Sequence, residues 1–551
     1  MTGSNLTLPT KACHNCRKRR WKCDRSLPVC QKCLSSGTEC LGYGKLFVWN
    51  QGVASRGKMM GKSFEDMLST KKEGQAHSAP QKPKSLPDCN NNAKEDDFKA
   101  TSSTTMAVVK QVKMETTIYW PLIDPLVKDL NQPSRYYLFH FATQLCGDMV
   151  IYDGPGQNPI RDLIPASSVH PLLLQVMLAN SALHVYNLAR EPINESRYHE
   201  NRKPCLVAYY QAVSRFGGPF KSAYRDALVA KQRALSLLAQ SVGSVNESNF
   251  DIVLVSILLF INYDLVESGM DKWRVHMEGA RRLINLLETA PFQLHEMSKL
   301  RKCLLSDLLV FFVLGSTLDF DNTPKKLIPN SIDLKAILEY AETNNYLSCP
   351  APLLHIMLQA FELPDVQWQQ FGEEASLARG HIQLLLEAAL SFDPIKWAST
   401  FQPASPFEDL KKRISIASAH RSAVCIYITR ILPSTHASSL LSTSRGSSVS
   451  SLSDLATDIL DHLSNLSPGD TVFKSIGWPI FLAGAESDDP VQRAVIVEKL
   501  DALWNEMYWG YILTVKELLG VIWSYKDRGA KGEDICWVTE VKRLGTELLI
   551  A

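Results

Sequence analysis

The chain has 551 residues, 45% of them hydrophobic and 21% charged, which suits folded protein and leaves room for more than one domain. A net charge of +2 excludes a uniformly basic or acidic molecule, but the charge is unevenly placed. Residues 1–60 carry 11 Lys/Arg against 2 Asp/Glu, net +9, so residues 61–551 carry 48 against 55, net −7. A basic head on an acidic body is the pattern of a nucleic-acid module joined to something else.

No charged n-region with a long apolar stretch opens the sequence, so no secretory signal is expected. The longest apolar runs, 252–261 and 308–314, are too short to cross a bilayer and read as buried helix segments, with no membrane partner. In a reducing compartment the cysteines stay as thiols. Of the thirteen, Cys89, Cys146, Cys205, Cys303, Cys349, Cys425 and Cys536 are scattered singly and read as small buried hydrophobes.

The other six are different. Cys13, Cys16, Cys23, Cys30, Cys33 and Cys40 follow C-x2-C-x6-C-x6-C-x2-C-x6-C, and each member of the first half recurs 17 residues later. Between Cys13 and Cys40 the large apolar side chains are Trp21, Leu27, Val29 and Leu34, too few to offset the chain entropy of ordering the segment. Zinc can supply that stabilisation through tetrahedral thiolate bonds, roughly 10–16 kcal/mol in small domains. Two tetrahedral ions need eight ligand positions, so six thiolates suffice only if two bridge. The repeat makes the bridging pair equivalent: 13/30, 16/33 or 23/40.

The loop between Cys16 and Cys23 holds Arg17, Lys18, Arg19, Arg20, Trp21 and Lys22, whereas the equivalent loop 34–39 has no cation. A short helix started at the Cys13–Cys16 turn would fan residues 17–22 about its axis at about 100° each. Some cations would then reach base edges while others neutralise phosphates. His14 lies between two ligands with every metal position already filled, so it reads as solvent-facing or as a phosphate contact.

The run Lys11-Ala12-Cys13-His14-Asn15-Cys16-Arg17-Lys18-Arg19-Arg20-Trp21-Lys22-Cys23-Asp24-Arg25, with Pro28-Val29-Cys30-Gln31-Lys32-Cys33, resembles the fungal six-cysteine binuclear zinc cluster of transcription regulators. The resemblance implies two zinc ions bridged by Cys13 and Cys30. One would be held by Cys13, Cys16, Cys23 and Cys30, the other by Cys13, Cys30, Cys33 and Cys40. It also implies double-stranded DNA as partner, CGG-like triplets as targets, Arg19 and Arg20 as the main base contacts, and Arg17, Lys18 and Lys22 as backbone contacts. Pro28 matches the family's turn between halves. Trp21 departs from the aliphatic residue usual there and is expected to pack over the cluster.

Beyond the head, Gly52–Lys58 has the spacing of a phosphate loop, but Met59 stands where Ser or Thr must hold magnesium, so the segment reads as an extended arm. No catalytic motif is present, and an enzyme is not expected. Residues 61–115 hold nine Lys and eight Asp/Glu with few large apolar residues after Leu68, the composition of a disordered linker. Met60, Phe64, Met67 and Leu68 suit one short amphipathic helix, but no leucine zipper follows the cluster. Any homodimer would form through the large domain.

From about Ile118 long amphipathic helices are expected, among them 136–149, 170–188, 223–240, 251–266, 271–287 and 491–508, without sustained strand alternation. Trp273, His276, Ala280, Leu283 and Leu287 form one helical stripe, with His276 a hydrogen-bonded core residue. Gly477 and Gly484 suggest close helix packing, Asp489-Pro490 a helix start, and the aromatic-rich segment 504–537 packed helix. The segments Trp273–Ile284 and Gly477–Glu486 resemble the fungal-specific transcription factor domain.

The expected fold is therefore mostly α. It has a binuclear zinc cluster at 8–48, a flexible linker at 49–117, and an all-α regulatory domain at 118–551 with a Ser/Thr-rich loop at 434–453. The expected function is a nuclear, sequence-specific DNA-binding regulator of RNA polymerase II genes, working with the transcription machinery or co-regulators. The alternative is a zinc-stabilised module for protein or RNA whose basic run serves only nuclear import.

Overall fold

The computed structural model describes residues 11–40 except 27, 28, 37 and 39, and residues 127–551 except 155, 191–221, 271, 290–296, 319–325, 362–372, 404, 407, 433–450, 529–535, 545 and 546. The arm, the linker, the turn at Pro28 and positions 434–450 of the Ser/Thr-rich loop lie outside the described residues, as do Cys89 and Cys205. Two compact units separate at 114/115. Among the described residues there is no strand, only two isolated bridges, Val150 with Asn345 and Met270 with Leu548.

The first unit contains two one-turn helices, α1 (His14–Lys18) and α2 (Gln31–Ser35). Their capping residues are cysteines: Cys13 Sγ accepts from the Cys16 amide at 3.4 Å, and Cys30 Sγ from the Cys33 amide at 3.3 Å. The 17-residue repeat is thus a repeat of structure as well as of ligand spacing.

The second unit begins with α3 (Gln132–His140), α4 (Pro171–Arg190), α5 (Ala223–Val242), α6 (Phe250–Glu267), α7 (Trp273–Thr289) and α8 (Lys299–Ser316). It continues with α9 (Leu334–Asn344), α10 (Ala351–Phe361), α11 (Glu373–Ser391), α12 (Pro394–Thr400) and α13 (Leu410–Ile431). After these come α14 (Leu452–Ser464), α15 (Gly477–Glu486), α16 (Pro490–Met507), α17 (Tyr511–Arg528) and α18 (Trp537–Leu544). The six helices expected from periodicity are all present with small shifts at their ends, except that the 136–149 segment passes through a π-helical turn at Phe141–Leu145. Asp489 caps α16 by accepting from the Val491 amide at 3.0 Å, with Pro490 in the first turn, where no amide hydrogen is needed. Ser451 opens α14 with a capping box to Asp454, so 451–453 begin a helix rather than end a loop.

Packing follows the apolar faces. Ala223, Ala227, Ala230 and Ala234 form the buried face of α5 and let it lie closely along α4. Fifteen of the eighteen residues of α6 are buried, which suits a helix apolar on all sides. All ten residues of α15 are buried between α13, α14, α16 and α17. Its glycines explain how: a Cβ at Gly484 would lie 2.9 Å from the Leu519 methyls, and one at Gly477 2.7 Å from the Ala551 carbonyl oxygen. The runs 252–261 and 308–314 lie inside α6 and α8, as expected. The expected helix α4 is also long and apolar enough to span a bilayer, a property the reading of apolar runs passed over; 72% of its apolar window is buried inside this domain.

Polar groups in the core knit distant segments. His140 and His184 pair at 2.8 Å, and the other His184 nitrogen meets the Met507 carbonyl at 2.7 Å. Arg430 donates two bonds to Glu486, at 2.7 and 2.6 Å, and the Trp537 indole N–H donates to the same carboxylate at 2.7 Å, joining α13, α15 and α18. His276, expected as a hydrogen-bonded core residue, is half-buried, stacked on Phe260 with its Nε2 3.6 Å from Asp264; burial pushes its pKa down to about 4. Of the singly placed cysteines, Cys146, Cys303, Cys349 and Cys425 are buried and Cys536 is half-buried. Of the aromatic segment, Trp504, Trp509, Tyr511 and Trp537 are buried in the helical packing.

Candidate metal centre and nucleic-acid interface

The sulfurs of Cys13, Cys16, Cys30 and Cys33 are fully buried and close together. Cys13 Sγ lies 3.6 Å from Cys30 Sγ and 3.7 Å from Cys33 Sγ, while Cys16 Sγ lies 3.7 Å from Cys30 Sγ and 3.9 Å from Cys33 Sγ. A zinc–sulfur bond of about 2.3 Å implies a tetrahedral edge of about 3.8 Å, so the three separations that involve Cys13 or Cys30 fit tetrahedral edges, whereas Cys16 and Cys33 approach each other across the two groups. Two groups of four sulfurs, Cys13/Cys16/Cys23/Cys30 and Cys13/Cys30/Cys33/Cys40, each fall within 4.8 Å of one another. The pair common to both groups is Cys13 and Cys30, one of the three arrangements left open by symmetry.

Electrostatics fits the same picture. Burial pushes the Cys13 thiol up to about 12 and that of Cys30 further in the same direction. Thiols so reluctant to ionise need cations among them to become thiolates, and loading therefore releases protons. The amides of Cys16 and Cys33 supply additional positive dipoles at the two shared sulfurs.

The basic loop departs from the expected fan. α1 ends at Lys18, Arg19 is its C-cap, and Arg20 turns into the left-handed region at φ 55°. The Arg20 amide then donates to the Arg17 carbonyl at 3.3 Å and the Trp21 amide to the Cys16 carbonyl at 2.8 Å, the paired bonds of a Schellman end. The second half repeats the longer bond, Thr38 amide to Cys33 carbonyl at 3.1 Å, and its sequence has Gly37 at the position matching Arg20. The helix stops because burying Cys16 and returning the chain toward Cys23 require an immediate reversal. Arg17, Lys18, Arg19, Arg20 and Lys22 are all exposed, but only Arg17 and Lys18 lie on α1, with Arg19 at its cap and Arg20 and Lys22 beyond it on the turn. His14 is half-buried on α1.

Asp24 is a residue that sequence reasoning passed over. Its carboxylate accepts from the Gln31 and Lys32 amides, at 3.1 and 3.2 Å, and from Ser26, joining the first half to the start of α2. The side-chain bond from Ser26 and these amides hold its carboxyl well below the usual range. The available signal was the repeat itself: Cys30 occupies the α2 cap, so the remaining first-turn amides need an acceptor from elsewhere.

Comparison with known proteins gives concordant matches. Residues 11–47 match the fungal Zn(2)-Cys(6) binuclear cluster domain, and residues 136–551 the fungal specific transcription factor domain. The chain belongs to the fungal-specific transcription factors. It is 30% identical to the acriflavine sensitivity control protein acr-2 of Neurospora crassa, over 98% of this chain and 97% of that protein. No solved structure matches. As a member of this family the chain is a DNA-binding transcription regulator whose cluster takes two zinc ions, and the earlier family resemblance and mostly α fold class hold.

Proposed function

We propose that this fungal-specific transcription factor acts in the nucleus as a sequence-specific regulator of RNA polymerase II genes, reading short CGG-like triplets through its zinc-cluster turn. The observation that carries the reading is the union of two four-sulfur groups sharing Cys13 and Cys30 with five exposed cations on the last turn of α1 and the chain just after it. Cys13, Cys16, Cys23 and Cys30 hold one ion, and Cys13, Cys30, Cys33 and Cys40 the other. The ions supply tetrahedral cross-links that replace a hydrophobic core. Arg19 and Arg20 meet guanine edges, where a guanidinium donates to O6 and N7 together. Arg17, Lys18 and Lys22 neutralise phosphates.

In this reading residues 8–48 form the DNA-binding domain, 49–117 the linker, and 118–551 the regulatory domain, with the Ser/Thr-rich segment ending before the Ser451 cap of α14. The helical domain engages co-regulators and carries any homodimer contact. No residue is assigned to catalysis. Arg430, Glu486, His140, His184 and His420 make hydrogen bonds within the core.

The test is selection from random duplex DNA by the full chain with zinc. Enrichment of a GC-containing triplet supports direct readout, and paired triplets at fixed spacing support a dimer. If two zinc ions are bound and nothing is enriched over random duplex, the protein- or RNA-interaction reading replaces this one. Because the Neurospora relative is named for control of acriflavine sensitivity, growth on that dye is a suitable phenotype for a deletion strain.

A further inference from the structure

Trp21 has no part in metal binding, yet it occupies a central place in the cluster. The bond from its amide to the Cys16 carbonyl turns the chain so that the half-buried indole packs against the six-cysteine cluster. Two cations flank the ring. Arg19 Cζ lies 5.0 Å from the ring centroid, and Lys32 Nζ, from α2 in the other half, lies 5.8 Å from it. Both distances fall within the roughly 6 Å over which the negative face of an indole attracts a cation. The position matching Trp21 in the second half is Thr38, which has no ring, so the first half alone carries this clamp.

We propose that Trp21 is a positioning residue that fixes the Arg19 guanidinium and thereby sets the base selectivity of the zinc-cluster turn. The inference rests on the DNA-reading function proposed above. An exposed arginine samples many rotamers, and a guanidinium that must be ordered on binding loses affinity for every site. A planar guanidinium held over a ring is ordered beforehand, and its free edge keeps the fork geometry needed for two bonds to guanine. Lys32 on the same ring ties the orientation of that edge to the second half of the cluster. Trp21 therefore acts on discrimination between sequences more than on the general attraction to phosphates.

The experiment uses the full chain with two zinc ions and duplexes drawn from the selection above. Tryptophan at position 21 is replaced site-specifically by analogues with one, two and three ring fluorines, which keep shape and packing while draining the π face. The readouts are zinc content, the affinity ratio between selected and random duplex, and the salt dependence of each. We expect two zinc ions throughout, an unchanged salt slope, and a selectivity that falls stepwise to a total loss of about three- to fivefold. Trp21→Leu should lose at least as much, and Trp21→Phe should retain part. In the Arg19→Ala background the fluorine series should become flat, because the indole then has no guanidinium to place.

A flat series in the Arg19-containing protein overturns the proposal, as does a series that persists unchanged in Arg19→Ala. If Trp21→Leu loses zinc, the fluorinated series still decides, since it leaves the packing volume in place. Failure of the unmodified protein to prefer any duplex would refute the DNA-reading function itself. A selective protein with a flat series would refute only the role of Trp21.

Discussion

Replacing Arg20 by glycine and by alanine should separate the stability of the zinc cluster from its grip on DNA. Arg20 sits at φ 55°, a conformation that costs a residue with a Cβ about 1–2 kcal/mol and glycine almost nothing. Both substitutions remove the guanidinium, so both should weaken selected-duplex binding to a similar extent. They differ in the turn. Alanine keeps the strain, whereas glycine relieves it and returns part of the gain as extra freedom of the unfolded chain, about 0.4–1 kcal/mol. The net difference should be about 1 kcal/mol in favour of Arg20→Gly, or about fivefold in the equilibrium constant for loss of zinc to a chelator. The assay is competition with a zinc chelator on the full chain, read by released thiols, with a parallel salt-titrated binding curve. Equal zinc retention by the two variants would show that the turn after α1 carries no such strain, and the Schellman account of the basic loop would be wrong.

Other outcomes follow from particular contacts. Glu486→Gln leaves the Arg430 guanidinium buried without its carboxylate and should lower the thermal stability of the helical domain by about 3–5 kcal/mol, with zinc content unchanged; replacing both partners by methionine should recover much of that loss. Gly510→Ala would drive a Cβ into the Glu267 carbonyl oxygen, a backbone collision at the end of α6, and should destabilise the domain more than Gly380→Ala, where space is open. His420 is fully buried with its Nε2 3.0 Å from the Leu347 carbonyl, and burial first of all pushes its pKa down to about 4. Below pH 6.5 the unfolded chain therefore binds a proton that the folded one refuses, and stability falls by up to about 1.4 kcal/mol per pH unit down to pH 4. Denaturant titrations of His420→Gln should show a shallower slope across that window; an equal slope would mean that His420 titrates normally in the fold. Chelation of zinc should abolish DNA binding and leave the melting of the helical domain in place, and a common transition would contradict the separation of the two units.

The all-α character and the metal module were legible because both are written in short-range terms. Helix periodicity repeats within a few residues, as in the stripe from Trp273 to Leu287, and the thiol spacing from Cys13 to Cys40 leaves metal as the dominant stabiliser. Asp489-Pro490, Gly477 and Gly484 were readable for the same reason, since each states a local requirement of the backbone. The helix through Lys22 was misjudged because periodicity cannot register a chain reversal imposed by the need to bring Cys23 back to the cluster. Asp24 was missed because its partners, the amides of Gln31 and Lys32, become neighbours only once the two halves fold together.

By itself the sequence determined the ligand chemistry, the helical class and the concentration of cations beside Cys16, all consequences of residue type and near spacing. Tertiary structure decided the rest. It selected Cys13 and Cys30 as the sulfurs common to both four-membered groups, and brought Arg19 and Lys32 to the ring of Trp21. It also buried residues 548–551, with the Leu549 amide donating to the Gly269 carbonyl at 2.8 Å and the Ala551 carbonyl close against Gly477. Such contacts join residues outside one another's local pattern, in the case of Gly269 and Leu549 about half the chain apart, and a pattern confined to neighbouring residues contains no information about which distant surface will supply the complementary shape or the missing hydrogen bond.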